Sequence, residues 1–240
     1  MTLRRALAAL ATLVVATATG CTGSSQRSAS TPQLTVFAAA SLTDAFPAVA
    51  RLAATAHPTF SFAGSQELVA QIRNGAPADV VATADAATMD EVAGGLVDPP
   101  QTFAHNRLVI VTAPGNPRHI AGLSDLADPG LDVVLADPSV PAGHYATAAL
   151  ADAGVHVSPR SLELDVRSVL TKVELGEADA GIVYRTDAQS AGDRVAAVSI
   201  ARAPTATYRI GALDDAGRSF VQLVLSPRGQ AVLRRFGFGP

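Results

Sequence analysis

Apolar residues follow two alternating patterns along the chain from position 34 onward. Short runs rich in valine, isoleucine and phenylalanine predict strands, and stretches with apolar residues at helical spacing predict helices. This alternation predicts an α/β fold with mainly parallel sheets, in which ligands bind beyond the carboxyl ends of the strands. The predicted strands cover 34–38, 59–63, 80–82, 108–113, 133–136, 161–164 and 181–184, and the predicted helices cover 42–57, 67–74, 86–94, 142–153, 166–175 and 226–236.

Two proline-containing turns interrupt the alternation, at 98–100 and 113–117. A chain of 240 residues forms one large domain or two smaller ones. We interpret the turns as breaks between two lobes joined by crossover strands near 108–113 and 207–213. The predicted first lobe comprises 33–108 and 207–240, and the predicted second lobe comprises 109–206.

The N-terminus has the anatomy of a signal peptide over residues 1–20. Its apolar stretch at 6–18 is shorter than the roughly 20 residues of a membrane-spanning helix. Cys21 is the only cysteine, so an intrachain disulfide is impossible. Cys21 is either incidental to an ordinary cleavage site or the acylated first residue of a lipoprotein, since 18–21 resembles a lipobox with alanine at its first position. The flexible tether over 21–32 favours a lipoprotein anchored by lipid alone to the extracytoplasmic face of the cell membrane.

Composition and charge restrict the class of protein further. Hydrophobic residues make up 48% of the chain and charged residues 16%, which argues against a wholly disordered protein. Tryptophan is absent, so alanine, valine and leucine must build most of the core. The formal net charge of −3 becomes −5 when Arg4 and Arg5 leave with the signal peptide. Such a chain lacks the basic face typical of nucleic-acid-binding proteins.

Five positions could offer hydrogen-bond donors to an anion. Ser41 and Ser65 stand at predicted helix starts, where a serine either caps its helix or turns its hydroxyl and N–H towards a ligand. Ala142 and Val166 would offer backbone N–H groups at two further helix starts. Tyr184 ends a predicted buried strand, where its hydroxyl is either tied to a local partner or donated to a ligand.

Enzyme motifs are poorly represented. The sequence has no metalloprotease, nucleophile-elbow or phosphate-loop motif, and its five histidines are scattered. We interpret His144 as a surface residue rather than a base for a serine, and Asp79 and Asp85 as turn and cap residues. The sequence therefore predicts a binding protein rather than an enzyme, with no directly coordinated metal and no cofactor.

The loops around the five donor positions resemble the molybdate-binding proteins of bacterial molybdate ABC importers, which are type II periplasmic binding proteins. The resemblance spans 33–239 and is carried, in order, by VFAAASL at 36–42, GAPADV at 75–80, DPSVPAG at 137–143, GIVYRTDA at 181–188 and FGF at 236–238. It implies two α/β lobes that close over molybdate or tungstate, and delivery to a membrane permease driven by an ATPase. We expect a monomer. The resemblance implies that the anion is held by Ser41, Ser65, Ala142, Val166 and Tyr184.

Two positions depart from the pattern of these proteins. Gly64 stands where some members carry a second serine, and Arg185 places a charge beside Tyr184, although we expect its side chain to point to solvent. Molybdate has no proton to give, so hydroxyl and N–H donors at helix starts suit it without a buried cation. The alternatives are a receptor for another oxyanion such as sulfate or for a small organic ligand, a secreted serine-dependent hydrolase, and an envelope adaptor without a small ligand.

Overall fold

The computed structural model of the protein describes residues 33–53 and 58–240. The predicted signal peptide, Cys21 and the tether through position 32 lie outside the described residues. The described residues form one compact unit, so the predicted boundaries between two lobes stay a prediction. No helix in the described part of the chain is both long enough and apolar enough to span a bilayer.

The chain forms an α/β structure, as the alternating pattern predicts, with helices packed on a mixed sheet. The strands are β1 (Thr35–Ala39), β2 (Thr59–Ala63), β3 (Val80–Thr83), β4 (Gln101–Thr112), β5 (Val133–Ala136), β6 (Ser161–Glu163), β7 (Ala180–Tyr184), β8 (Ala196–Ser199) and β9 (Thr205–Ala212). The helices are α1 (Ala45–Ala50), α2 (Ser65–Arg73), α3 (Ala86–Asp90), α4 (Pro141–Asp152), α5 (Val166–Glu174), α6 (Arg185–Ala191), α7 (Arg218–Leu225) and α8 (Pro227–Arg235). The strand order is β2-β1-β3-β9-β4-β7-β5-β6, with β8 paired to β4 beside this path.

Parallel pairing in two places aligns the strand ends that matter for the site. Strand β1 is parallel to β2 and β3, and β5 is parallel to β6 and β7. We call β1, β2, β3 and β9 the first sheet half, and β5 to β8 the second sheet half. Parallel strands end at the same edge of a sheet. Helix α2, which follows β2, therefore begins at the carboxyl edge of the parallel strands in the first sheet half. Helices α4 and α5, which follow β5 and β6, begin at the carboxyl edge of those in the second.

Strand β4 joins the two sheet halves. Its residues 101–107 pair antiparallel with β9, and its residues 108–112 pair antiparallel with β7, with β8 on the opposite side. The sequence predicts only the second of these segments as a strand. The first contains polar residues that weaken its strand pattern, and its pairing with β9, about 100 residues away in sequence, decides its conformation.

Two predicted helices are shorter in the structure. The predicted helix at 42–57 is a 3-10 turn at Ala40–Leu42 followed by α1, which ends at Ala50. The last residues of this predicted helix, 54–57, lie outside the described residues, and strand β2 begins at Thr59. The predicted helix at 86–94 ends at Asp90 and is followed by a separate 3-10 turn at 93–95.

Three elements were not predicted, namely β8, α6 and α7. Helix α6 has the sequence RTDAQSA, in which small and polar residues replace the usual apolar stripe. It packs closely because Thr186, Ala188 and Ala191 are small enough to be buried against the sheet. Local periodicity carries little signal for such a helix.

The core is built mainly from alanine, valine and leucine, as the composition predicts, with an aromatic cluster at its centre. Phe46 lies 5.7 Å from Phe103 and 5.5 Å from Phe220, measured between ring centroids. Tyr208 on β9 packs edge-on against both Phe238 at 5.4 Å and Tyr184 at 5.7 Å. Tyr208 therefore connects the aromatic core of the first sheet half to the end of β7.

Candidate functional site

A small cavity of about 10 Å³ lies where loops of the two sheet halves meet. This volume has room for about one water molecule, so a larger ligand must move the walls apart slightly. All five predicted donor residues line this cavity. Most of the other lining residues are small, which lets the backbone approach a ligand closely: Ala39, Ala40, Ala63, Gly64, Ala84, Val140 and Pro141.

Ser41 lies inside the 3-10 turn that follows β1 and is 3% exposed. Its hydroxyl does not cap a helix, which removes the structural alternative for this residue. Instead, Ser41 Oγ lies 2.8 Å from the hydroxyl oxygen of Tyr208. The side chain is therefore held by a residue from the opposite end of the chain and faces the cavity.

Ser65 is the first residue of α2, whose N-cap position is Gly64. Ser65 Oγ accepts the backbone N–H of Ala84 at 3.1 Å, so this serine does not cap its helix either. Because its oxygen already accepts a hydrogen bond, its own proton is available to donate.

Gly64 lies where the backbone of the two sheet halves leaves no room for a side chain. A Cβ atom at position 64 would lie 2.4 Å from the carbonyl oxygen of Leu164, which follows β6. Gln66 lies in the same contact and donates its Nε2–H to this carbonyl at 3.0 Å. The two sheet halves approach each other here too closely for a side chain at position 64.

Backbone donors at two helix starts complete the cavity wall. Helix α4 begins with Pro141, which has no N–H group, and its N-cap residue Val140 makes no side-chain capping bond. The N–H of Ala142 is therefore the first backbone donor that this helix start offers to the cavity. At the start of α5, Asp165 accepts the N–H groups of Arg167 and Ser168 at 2.7 and 2.9 Å. This capping leaves the preceding N–H, that of Val166, directed out of the helix end.

Tyr184 ends β7 and is 1% exposed. Its hydroxyl oxygen is buried and has no hydrogen-bond partner within the described residues. Burial raises the pKa of Tyr184 well above its usual value, so the phenol keeps its proton. A buried hydroxyl without a partner is costly unless a ligand accepts its hydrogen bond.

The combined arrangement presents donors and few acceptors. The helix starts of α2, α4 and α5 add partial positive charge at the same place. The guanidinium of Arg167 lies in a neighbouring pocket of about 340 Å³, outside the lining of the small cavity. It pairs with Asp44, and its Nε lies 3.0 Å from Asp187 Oδ1. The cavity can therefore hold a small anion by hydrogen bonds without a lining cation.

His144, Asp79, Asp85 and Arg185 do not line the cavity. His144 is exposed on α4, as predicted, and each candidate serine oxygen pairs with a group other than a histidine. Asp85 caps α3 by accepting the Thr88 N–H at 2.9 Å, and Asp79 accepts the N–H of Thr35 at 2.5 Å. Arg185 is exposed and donates to the Gly237 carbonyl, away from the cavity. Within 33–53 and 58–240, no three His, Cys, Asp or Glu side chains cluster as metal ligands.

Sequence reasoning missed the residues behind the cavity. Tyr208 and Asn106 are buried polar residues at inward-facing positions of β9 and β4. The only signal was a polar side chain at a position where strand alternation calls for an apolar one. The ion pair between Asp44 and Arg167, which joins the two sheet halves, left no local signal because its members lie 123 residues apart.

Comparisons with known proteins agree with the fold. A family model described as bacterial extracellular solute-binding protein matches residues 34–239. The solved periplasmic molybdate-binding protein of Azotobacter vinelandii is 20% identical with a TM-score of 0.73, covering 86% of this chain and 99% of that chain. The sulfate-binding protein SubI of Mycobacterium tuberculosis is 19% identical with a TM-score of 0.75, covering 86% of each chain. At these identities the two structures establish the periplasmic-binding-protein fold.

Sequence similarity gives the family more narrowly. Molybdate-binding protein ModA of Mycobacterium tuberculosis H37Rv is 44% identical over 219 residues, covering 85% of this chain and 84% of that protein. The resemblance predicted from the loops is thereby confirmed. The chain belongs to the bacterial extracellular solute-binding proteins, in the branch that contains the molybdate-binding proteins.

Proposed function

We propose that the protein captures molybdate, and also tungstate, and delivers the anion to an ABC importer. The observation that carries this proposal is the set of donors around one cavity, with the buried hydroxyl of Tyr184 lacking a partner. Ser41 and Ser65 contribute donors from the first sheet half, and Ala142, Val166 and Tyr184 contribute donors from the second. The 44% identity to a molybdate-binding protein over most of both chains supports molybdate as the anion.

Closure around the anion follows from where the donors lie. Because the two sheet halves supply different donors, an anion in the cavity binds best when the halves are together. The hydrogen bond from Gln66 to the Leu164 carbonyl, beside the lining residue Gly64, links the two halves next to the cavity. The closed, anion-loaded form is then the one that a membrane permease, driven by its ATPase subunit, would recognise.

The proposal also covers location and assembly. The lone Cys21, preceded by a signal peptide and followed by a tether, supports a lipid anchor at the extracytoplasmic face of the membrane. The donors come from one chain, so a monomer suffices for binding. Binding by hydroxyl and N–H groups needs no cofactor and involves no catalytic step.

Calorimetric titration of the purified, oxyanion-free protein with molybdate, tungstate, sulfate and phosphate tests the proposal. We expect tight binding of molybdate and tungstate, which are nearly equal in size, and weak binding of the smaller sulfate, in line with the 44% identity to a molybdate-binding protein. Sulfate has the same charge and shape, and the fold is shared with a sulfate-binding protein, so sulfate is the second candidate. Preferential binding of sulfate would keep the transport role and overturn the choice of anion.

Substitution of a donor serine tests the location of the site. A hydrogen bond to a charged group contributes roughly 1.5–3 kcal/mol, so Ser41→Ala should weaken molybdate binding by about 10- to 150-fold. Ser65→Ala should act similarly. Ser219→Ala is the control, because that hydroxyl is exposed on α7 and donates to the Ala216 carbonyl. Parental affinity in both Ser41→Ala and Ser65→Ala would place the site elsewhere.

A further inference from the structure

Two buried residues stand behind Ser41 without lining the cavity. The hydroxyl of Tyr208 lies 2.8 Å from Ser41 Oγ, and the Asn106 Nδ2 atom lies 3.4 Å from the same tyrosine oxygen. Tyr208 is 0% exposed and Asn106 is 2% exposed. Neither residue lines the cavity, so an effect on binding must pass through a neighbour, either Ser41 by the hydrogen bond or Tyr184 by packing against the Tyr208 ring.

The amide group of Asn106 has a fixed orientation. Its Oδ1 atom accepts the backbone N–H of Arg107 at 2.9 Å. Its Nδ2 atom therefore points the other way and donates to Thr186 Oγ1 at 2.8 Å and to the oxygen of Tyr208. The contact with Tyr208, at 3.4 Å, is the weaker of the two. It places an N–H group, and not the amide oxygen of Asn106, beside the Tyr208 hydroxyl.

This orientation sets the direction of the next two hydrogen bonds. Burial raises the pKa of Tyr208, so the phenol keeps its single proton. Asn106 Nδ2 is a donor and cannot accept this proton, whereas Ser41 Oγ at 2.8 Å can, so the bond runs from Tyr208 to Ser41. Ser41 then accepts from Tyr208, and its own proton is left to point into the cavity. Ser65 reaches the same state by accepting the Ala84 N–H.

We propose that Asn106 and Tyr208 are positioning residues that keep Ser41 a hydrogen-bond donor towards the cavity, so that the site favours oxyanions carrying no proton. This inference rests on the proposed function and names the residues that set its preference. A protonated oxyanion such as hydrogen phosphate would bring an O–H that needs an acceptor. Because the Ser41 proton faces the anion, that O–H would meet the Ser41 proton instead of a lone pair and would lie buried and unpaired.

A double-mutant cycle tests whether Tyr208 acts through Ser41. Tyr208→Phe removes the hydroxyl and keeps the ring, and it should weaken molybdate binding by about 3- to 10-fold, the effect of one neutral hydrogen bond. In a Ser41→Ala background the same change should alter the affinity by less than about 2-fold. Equal effects in both backgrounds would show an independent contribution through packing and would overturn the proposal.

Anion preference gives a readout that a purely structural role would not change. In Tyr208→Phe, the Ser41 hydroxyl can rotate and accept, so the ratio of the phosphate Kd to the molybdate Kd should fall by about 3-fold or more. Thr207→Val is the matched control, since Thr207 is the neighbouring residue and its hydroxyl contacts His105 Nδ1 at 3.4 Å. An unchanged ratio in Tyr208→Phe would contradict the proposal.

Asn106→Ala provides a second route to the same answer if Tyr208→Phe folds poorly. It removes the N–H that orients the tyrosine and should lower the phosphate-to-molybdate Kd ratio in the same direction. Failure of the parent protein to bind molybdate would contradict the proposed function itself. If the parent protein binds molybdate but the effects of Tyr208→Phe and Ser41→Ala on the Kd are additive, only the positioning role is overturned.

Discussion

Asp187 is a carboxyl group in surroundings that disfavour its charge. It is fully buried at the start of α6, where its Oδ2 accepts the N–H of Tyr184 at 3.1 Å. Burial raises the pKa of Asp187 to about 7, although the nearby charge of Arg167 acts to lower it. The residue therefore fixes the backbone beside the candidate site and makes the stability of the protein depend on pH.

The sign of this dependence follows from proton binding. The folded pKa is raised above the ordinary value of 3.8, so the folded state binds the proton more tightly than the unfolded state. The contribution of Asp187 to the free energy of unfolding is thus highest near pH 4 and falls until about pH 7. We expect the Tm of Asp187→Asn, relative to the parent, to rise between pH 5 and pH 8 in calorimetric scans.

Asp179 serves as the control for that measurement. Partial burial opposes its charge, but hydrogen bonding from Arg118 lowers the pKa of Asp179 below its ordinary value, so it stays ionised throughout this pH range. Asp179→Asn should shift the Tm by the same amount at pH 5 and pH 8. If the Tm difference between Asp187→Asn and the parent is also the same at pH 5 and pH 8, the Asp187 carboxyl does not titrate in this interval.

Predictability at the residue scale depended on whether a residue's role was local. The five donor positions could be found because strand ends and helix starts leave a local pattern, and the structure places all five around one cavity. The hydrogen-bond partners of these residues could not be predicted from the sequence. Ser41 bonds to Tyr208, 167 residues later, and only folding brings such residues together.

At the scale of elements, the join between β5 and α4 is packed without spare room. A Cβ atom on Gly143 would lie 2.0 Å from the carbonyl oxygen of Asp137 and 2.4 Å from that of Ala136. These are backbone atoms, so the helix start itself would have to move. The close packing fixes the N–H of Ala142 against the cavity.

Gly143→Ala should therefore affect both stability and binding. Overpacking typically costs about 1–3 kcal/mol, which corresponds to a fall in Tm of about 2–12 °C for a domain of this size. Molybdate affinity should fall as well, because the N–H of Ala142 moves. Gly94→Ala is the control, since a Cβ there meets no atom within 4 Å. A Gly143→Ala protein with parental Tm and affinity would show that this helix start is more adaptable than its geometry indicates.

Element prediction succeeded where periodicity and burial coincide. Helix α5 has a buried apolar face and an aspartate cap, and its predicted bounds differ from the observed ones by one residue. Helix α6 and the first part of β4 were missed, because small buried residues and long-range pairing determine them rather than their own sequence pattern.

At the scale of the whole molecule, an ion pair crosses between the two sheet halves. Asp44, before α1, pairs with Arg167 of α5 and accepts a hydrogen bond from Ser190 Oγ at 2.7 Å. Burial opposes the charge of Asp44, but Ser190 and Arg167 lower its pKa below the ordinary value. The pair can form only while the halves are together, so it favours the form that encloses the cavity.

Asp44→Asn should weaken molybdate binding by about 2- to 5-fold, a modest change because partly exposed ion pairs contribute little. The dissociation rate should account for most of the change, which stopped-flow measurements can resolve. Asp90→Asn is the control: Asp90 pairs with Arg209 at 2.9 Å within the first sheet half. Equal effects from the two variants would show that the pair across the halves has no special part in closure.

Strand β9 has a further consequence for how the protein is made. It lies between β3 and β4 in the sheet although it follows both by more than 90 residues. During synthesis, these two strands remain without their shared neighbour until residues 205–212 emerge, and unpaired strand edges promote aggregation. Every candidate donor, from Ser41 to Tyr184, is synthesised before the strand that carries Tyr208. The hydrogen bond that holds Ser41 can therefore form only after residues 205–212 have been added to the chain.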